Sequence, residues 1–419
     1  MFSNKKISPL LYGSVLEYYD FSIYSFLVPS LAQKFFPHES YAVSVLFTFA
    51  VFAGGFIARP LGGIVFGYIG DRISRKKALL LSLLLMGGAT TLIGLLPSYE
   101  QAGFISPLML ILCRLVQSLC IGGEYCGCII LALEQTPPEK QNYIASLITS
   151  AGVLGWFIGS GISSLSLMLQ LPFDSWRLPF LLGALIAIVG YYIRRNVLES
   201  PEMQHIIKNK TINANLFTAF LHNKYKIVIA IAGIAGLNGC LFYSFLIFPN
   251  TYLSFNPNIN TNTVSFCTTF GIAAYMVLLP LMGKLADKFG SIKMMLISAF
   301  LVIPTAIPFY LLLRSGNTAY ILLTMIFSSV IMAALMVTSI TLVTRLFQPS
   351  IRYTGVSFSY NLGSCLLGGS TSFFSMYLLK NTNISLSPSF YVILCGVIGT
   401  MSALYISKNI IDSKDLNYQ

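Results

Sequence analysis

Glu17, Asp20 and Tyr24 stand three and four residues apart in LLYGSVLEYYDFSIYSFLVPSLA, a stretch otherwise almost without polarity. On a helix those spacings put all three side chains on one face. A charged side chain at the centre of a bilayer costs about 2.5–3.5 kcal/mol on insertion scales, so that face must look into protein or water. A carboxylate shielded from water also binds its proton more tightly, which is the property a coupling proton needs. These residue types point to a proton acceptor or a contact to a cationic group, with a structural ion pair as the alternative. Asp20 is the better placed of the two acids, because Glu17 lies nearer the start of the segment and closer to water.

Three more charges sit in apolar surroundings. Arg59 lies about twelve residues before Asp71, or about 18 Å along a helix at 1.5 Å per residue. Asp20 is about ten residues into its own helix, about 15 Å by the same measure, so a pair between Arg59 and Asp20 or Glu17 is expected. The alternative for Arg59 is a bond to backbone carbonyls beside its flanking glycines. In RLVQSLCIGGE (114–124), Gln117 and Glu124 are seven apart and share a face, with Arg114 close by. Arg59 and Arg114 alone suit a carboxylate; together with Asp20, Glu17 and Glu124 they suit a zwitterion. Glu134 closes the same apolar run, where a structural pair is expected.

The elements that must carry these groups follow from composition. Of 419 residues, 55% are hydrophobic and only 10% charged, and the mean hydropathy is +0.75. A soluble domain carries about a quarter charged residues, so this chain cannot coat a globule in water. It divides into twelve apolar segments at about 10–36, 43–70, 78–97, 106–133, 142–170, 177–194, 226–254, 264–286, 291–313, 318–346, 353–379 and 388–407. Each is long enough to cross a bilayer as a helix. The polar stretch 195–225 separates six from six. The basic residues fall on one side of this pattern: Lys5 and Lys6, Arg72 to Lys77, Arg194 and Arg195, Lys284 to Lys293 and Arg345 to Arg352 all lie in loops or tails of the same sidedness. The opposite loops hold Lys34, Arg314 and Lys380. That bias places both termini in the cytoplasm.

GYIGDRISRKK (67–77) and GKLADKFGSIK (283–293) repeat a G-x-x-x-D-[RK] turn after the second and the eighth segment. Gly67, Asp71, Arg72 and Arg75, with Asp287 and Lys288 as a weaker copy and Arg352 beneath the eleventh segment, read as a conformational latch. Asp71 can cap a helix or pair with Arg72, Arg75 or a neighbouring span. Repeated halves are a recurring plan of secondary transporters, with the substrate site at the repeat interface.

The second half has no acid inside its spans. Asn238, Tyr243, Tyr275, Ser357, Tyr360 and Asn361 could supply hydrogen bonds and aromatic walls to a cavity, or simply glue helices together. The net charge of +12 follows from the basic cytoplasmic loops rather than from affinity for nucleic acid. No phosphate-cradling G-x-x-x-x-G-K-[ST] occurs, which argues against nucleotide-driven transport. His38, His205 and His222 fall in loops or the linker without ligand spacing, and the eight cysteines form no framework; neither a metal nor a cofactor is expected.

The loop GYIGDRISRKK resembles the signature of the major facilitator superfamily, with Ser74 where an inner glycine is usual. EYYDF, ARPLGGIVFGYIGDR (58–72), RLVQSLCIGGE, WRLPFLLG (176–183), ESPE (199–202) and IRYTGVSFSYNLGSCLLGG (351–369) resemble its metabolite:proton symporters. The resemblance spans nearly the whole chain. It implies uptake of a compound such as proline, betaine, oxoglutarate, citrate or shikimate with protons, and a part for Arg114 in the cavity and in proton movement. Osmosensing members carry a long C-terminal coiled coil; about a dozen residues without heptads follow the last segment here, which points away from that role. Trp156 stands in GVLGWFIG where drug antiporters of the superfamily have proline, which favours uptake.

The expectation is therefore an all-α membrane protein of twelve transmembrane helices in two pseudo-symmetric halves, residues 1–194 and 226–419, joined by a linker at 195–225. It imports a small polar metabolite, zwitterion or carboxylate, with protons by alternating access; an exporter and an uncoupled facilitator or receptor are the alternatives. Asp20, Glu17, Glu124 and Arg114 are the coupling candidates. Tyr24, Arg59, Arg114, Gln117, Asn238, Tyr243, Tyr360 and Asn361 are the substrate candidates. The setting is a bacterial inner membrane, the expected state a monomer, and the partners are substrate, protons and lipid.

Overall fold

The computed structural model describes residues 4–37, 41–169, 172–209, 216–254, 261–382 and 384–415. His38 and part of the linker, 210–215, lie outside them. Among the described residues every regular element is a helix. The first half carries α1 (Asn4–Phe26), α2 (Val28–Phe35), α3 (Tyr41–Arg72), α4 (Arg75–Leu95), a short α5 (Tyr99–Ala102), α6 (Ile105–Glu134), α7 (Gln141–Met168) and α8 (Arg177–Arg194). After α9 (Pro201–Asn209) come α10 (Leu216–Phe242), α11 (Phe248–Ser254), α12 (Thr261–Phe289), α13 (Ser291–Arg314), α14 (Thr318–Val343), α15 (Arg352–Gly363), α16 (Thr371–Thr382) and α17 (Ser387–Asp415). Ten stretches among the described residues, from Arg75–Leu95 to Ser387–Ile411, are helical, long and apolar enough to cross a bilayer. They match the third to twelfth expected segments, while α1 and α3 cover the first two. Leu84, Leu92, Ile188, Ile229, Phe300 and Leu404 lie exposed on helix faces, as side chains that meet lipid rather than water do.

Three expected spans are interrupted. The first breaks at Leu27, because Pro29 in the first turn of α2 has no N–H to continue the ladder of α1. Between α10 and α11, residues Tyr243–Ile247 widen into a π-helical turn just before Pro249, which relieves the clash of the proline ring with the preceding turn. A second π-helical turn, Ser364–Gly368, lies between α15 and α16 in a glycine-rich stretch. Helix α10 already starts at Leu216, inside the stretch read as linker to 225.

The chain forms two compact units. The first comprises Met1–Gln135 and Ala151–Ile212, the second Thr136–Ser150 and Asn213–Gln419, so α7 contributes to both. In the first unit α3 packs on α6 and α4 packs between α6 and α8. Gly62 and Gly122 make the α3–α6 crossing: a Cβ on Gly62 would strike the Leu119 carbonyl, and one on Gly122 the Arg59 carbonyl. Small residues of this kind let helix backbones touch where lipid gives no hydrophobic drive. The crossing sets Arg59 and Glu124 at neighbouring levels. An aromatic cluster of Tyr19, Tyr24, Phe35, Trp176 and Phe180 fills the space between α1, α2 and α8, with Trp176 edge-on to Phe35 at 5.6 Å and to Phe180 at 6.1 Å. In the second unit α12 and α13 pack on α14, and α10 packs on α15 and α17.

Candidate functional site

Helix α1 carries Glu17 and Asp20 into the interior of the first unit, and both are buried. Tyr19 next to them donates its hydroxyl to the Pro179 carbonyl at 2.9 Å, which fixes α1 against α8. The two Asp20 oxygens meet no hydrogen-bond donor among the described residues. Oδ1 borders the bare backbone of Gly183 on α8, together with the Thr90 methyl of α4. The expected pair with Arg59 is not made. Arg59 instead lies over the rings of Phe56 and Phe21, at 3.9 and 4.8 Å from their centroids. Spacing along a helix fixes no rotation about its axis, and the α3–α6 crossing sets Arg59 against these aromatics.

Arg114 of α6 is buried among aromatic rings and an amide. Its guanidinium lies 4.2 Å from the Phe21 ring centroid and 4.6 Å from that of Tyr24. Its Nη1 donates to Gln117 at 3.0 Å, and Gln117 passes the bond on to Thr90 at 2.8 Å. Tyr24 donates its hydroxyl to the Thr48 carbonyl at 3.1 Å. Arg114, Gln117, Tyr24 and Phe21 therefore form one connected group, in which Arg114 bonds Gln117 directly.

Seven residues on from Gln117, Glu124 accepts a hydrogen bond from Ser82 of α4 and forms an ion pair with Arg194 of α8. The Glu17 carboxyl lies within hydrogen-bond reach of Glu124. Arg194 was missed by the sequence reading, which counted it with Arg195 among cytoplasmic loop residues. It is the last residue of α8 and its side chain is 1% exposed. The signal that could have found it is Gly13 on α1, where a Cβ would collide with the guanidinium.

The loop motif behaves as a set of clamps within each unit. Arg75 is fully buried and pairs with Asp71, while Glu134 receives its Nε at 3.2 Å and its Nη2 at 3.1 Å. Arg72 lies over the Tyr68 ring at 5.3 Å, and of the partners expected for Asp71 the structure shows Arg75. Gly67 is buried in the last turns of α3. Ser74 caps α4 by accepting from Lys77 N at 3.0 Å, and Glu199 of ESPE bonds Ser74 and the Lys76 N–H. In the second unit Asp287 caps α7, accepting from the backbone N–H of Asn142 at 3.0 Å and of Tyr143 at 2.9 Å. Arg352 donates Nε to the Phe347 carbonyl at 3.4 Å.

The candidates of the second unit are uncharged and mostly bonded. Asn238 donates to Ser339 at 2.8 Å, Tyr360 to the Met336 sulfur at 3.6 Å, and Asn361 to the Ser357 carbonyl of its own helix at 2.7 Å. Tyr243 opens the π-helical turn and stands edge-on to Phe242 at 5.7 Å. Such single-turn π segments recur at functional sites. Among the described residues, no cluster of His, Cys, Asp and Glu is arranged to hold a metal.

A family model described as Major Facilitator Superfamily matches residues 10–372 and 232–410. The inner membrane metabolite transport protein YhjE of Escherichia coli (strain K12) is 32% identical over 414 residues, covering 96% of this chain and 94% of that one. The glycine betaine/proline/ectoine/pipecolic acid transporter OusA of Dickeya dadantii (strain 3937) is 28% identical over 417 residues, covering 96% and 83%. In structure, the proton:xylose symporter XylE bound to 6-bromo-6-deoxy-D-glucose superposes with a TM-score of 0.76 at 16% identity, covering 96% of this chain and 95% of that one. At that identity the likeness speaks for the fold alone.

Proposed function

The chain belongs to the major facilitator superfamily, and from that premise we propose that it couples proton entry to the import of a small zwitterion of the proline or betaine kind. It is a multi-pass membrane transporter and not an enzyme. The setting we infer is a bacterial inner membrane with both termini in the cytoplasm, the protein working as a monomer by alternating access of its halves, 1–194 and 226–419. The observation that carries the coupling reading is Asp20, a carboxyl fully buried with neither oxygen hydrogen-bonded among the described residues. A carboxyl so placed is neutral at small cost when protonated and expensive when not, so gain and loss of its proton can drive a conformational change. Glu17, Glu124 and Arg114 complete the coupling group.

Tyr24, Arg59, Arg114 and Gln117 of the first half, with Asn238, Tyr243, Tyr360 and Asn361 of the second, are the groups assigned to substrate. Buried cations and acids in the first half suit a ligand that carries both signs, and OusA, a transporter of glycine betaine, proline, ectoine and pipecolic acid, handles compounds of that class. Gly67, Asp71, Arg72, Arg75, Asp287 and Arg352 act as conformational clamps. The test is uptake of labelled proline and glycine betaine into proteoliposomes under an imposed proton gradient. Accumulation that a protonophore abolishes is the expected result. Uptake indifferent to the gradient overturns the coupling, and loss of preloaded substrate on proton entry points to an antiporter.

A further inference from the structure

Arg194 has no part in that reading, yet its side chain is 1% exposed and turned into the first unit. Its Nη1 pairs with Glu124 and donates to the Leu79 carbonyl at 3.0 Å. Its Nε and Nη2 meet no acceptor among the described residues. The glycine at position 13 leaves the room the guanidinium occupies. Glu17 reaches Glu124 by a hydrogen bond, and Arg194 is the cation that acts on it. Asp20 acts on Glu17 as well, Cys120 and Cys128 of α6 lie in the field of both acids, and Arg59 acts on Tyr18 beside Glu17.

The cluster therefore holds two carboxyls in contact and one cation paired directly with them, Arg194, away from water. With both acids ionised it would carry an uncompensated negative charge and a repulsion between touching carboxylates, both costly in a low-dielectric interior. A single shared proton removes both costs. The Arg194 guanidinium sits on Glu124, so the proton belongs on the Glu17 side of the contact, where the carboxyl O–H donates to Glu124.

We propose that Arg194 is a positioning residue of the coupling machinery: a fixed counter-charge on Glu124 that makes Glu17 a second proton-bearing carboxyl beside Asp20. Its part in transport rests on the proton-symport reading, whereas the charge balance itself does not. Arg194 touches neither substrate nor the Asp20 oxygens; it acts through Glu124.

The charge balance makes a counting test. Buried protonated carboxyls give C=O stretching bands in the infrared, separate from ionised ones, that shift on exchange into heavy water. The full-length protein is reconstituted in lipid and its spectrum compared with those of single and paired variants at one pH. Glu17→Gln removes one protonated band, since Glu124 and Arg194 then balance alone. Glu124→Gln also removes one, because the unspent Nε and Nη2 donors of Arg194 become free to take an ionised Glu17. Arg194→Gln adds one, as both acids must then hold protons, and Arg194→Lys restores the wild-type count. Should Arg194→Gln fail to fold, the paired Glu124→Gln/Arg194→Gln variant removes both charges at once and is expected to keep one protonated band, on Glu17. Band counts that ignore Glu17→Gln, or that stay unchanged when Arg194 is neutralised in a folded protein, overturn the assignment. Proline uptake measured on the same preparations under a proton gradient decides the symport reading separately: counts that follow the scheme without gradient-driven uptake leave the cluster standing and remove its role in coupling.

Discussion

Arg75 and Glu134 lie side by side, with Nε to one carboxylate oxygen at 3.2 Å and Nη2 to the other at 3.1 Å, and both side chains are shielded from solvent. Fork-on-fork geometry of this kind is the strongest form of a side-chain ion pair. It ties the first turn of α4 to the last residue of α6. Asp71 adds a second acid to the same guanidinium.

The two partners should not be equally costly to remove. Glu134→Gln leaves Arg75 with Asp71 and still offers it an oxygen. Arg75→Gln leaves two buried acids without their cation, the case in which breaking a buried pair costs about 3–5 kcal/mol. Thermal melting of the purified protein in detergent should rank Arg75→Gln well below Glu134→Gln, with the Arg75→Gln loss partly recovered when Asp71→Asn is added. Equal melting temperatures for the two single variants would show that the guanidinium is solvated rather than clamped.

Asp20 should behave in the opposite way, because it has no donor to lose. Replacing a buried unsatisfied polar group by an apolar one of similar size is close to neutral or stabilising. Asp20→Leu is therefore expected to melt at or above the wild-type temperature while gradient-driven accumulation of proline disappears, the familiar exchange of function for stability. A drop in stability of the size seen for Arg75→Gln would mean that Asp20 has a structural partner, and would remove it from the coupling group.

These two residues also mark how far the sequence could be read. The helical spans and the Asp71–Arg75 pair of the loop motif were legible because apolar length and Gly/Asp spacing are local properties of the chain. That Arg114 and Gln117 lie close together on one helix was legible, whereas the bond between them is read from the structure. The aromatic seat of Arg59 was not legible, because rotation about the helix axis is set by the Gly62 and Gly122 contacts with α6, which are tertiary. Arg194 was misread outright: a long side chain at a helix end can lie in the bundle or in water, and only the empty space at Gly13 decides which. The π-helical turns were likewise invisible to a reading by hydropathy, which carries no information on hydrogen-bond register.

Asp287 gives a third expectation. Its carboxylate accepts from the backbone N–H of Asn142 and Tyr143 and from the Asn142 side chain at 2.8 Å, so it caps the first turn of α7 and faces the positive end of that helix. Asp287→Ala should cost about 1 kcal/mol, the usual value of a lost N-cap. Hydrogen exchange should quicken at Asn142 and Tyr143 and leave the α7 residues beyond Ser150 unchanged. Asp287→Asn keeps an acceptor oxygen and should lose less. Uniformly faster exchange along α7 would show that the residue supports the whole helix rather than its end.

The Arg114 group separates ring from hydroxyl. The guanidinium lies over the Tyr24 and Phe21 rings at 4.6 and 4.2 Å, whereas the Tyr24 hydroxyl is turned away to the Thr48 carbonyl. Tyr24→Phe keeps the ring face and removes one hydrogen bond, worth about 0.5–1.5 kcal/mol, so it should lower the melting temperature slightly and leave proline uptake near wild type. Tyr24→Leu removes the ring as well. A partly desolvated cation–π contact is worth about 1–2 kcal/mol, and its loss frees Arg114 from the position that Gln117 and Phe21 share in holding. Uptake should then fall about tenfold, since about 1.4 kcal/mol corresponds to a factor of ten. Arg114→Lys should fall at least as far, because an ammonium cannot stack flat on two rings while bonding Gln117. If Tyr24→Phe and Tyr24→Leu transport equally well, the aromatic seat of Arg114 has no part in the transport cycle, and the group reduces to helix packing.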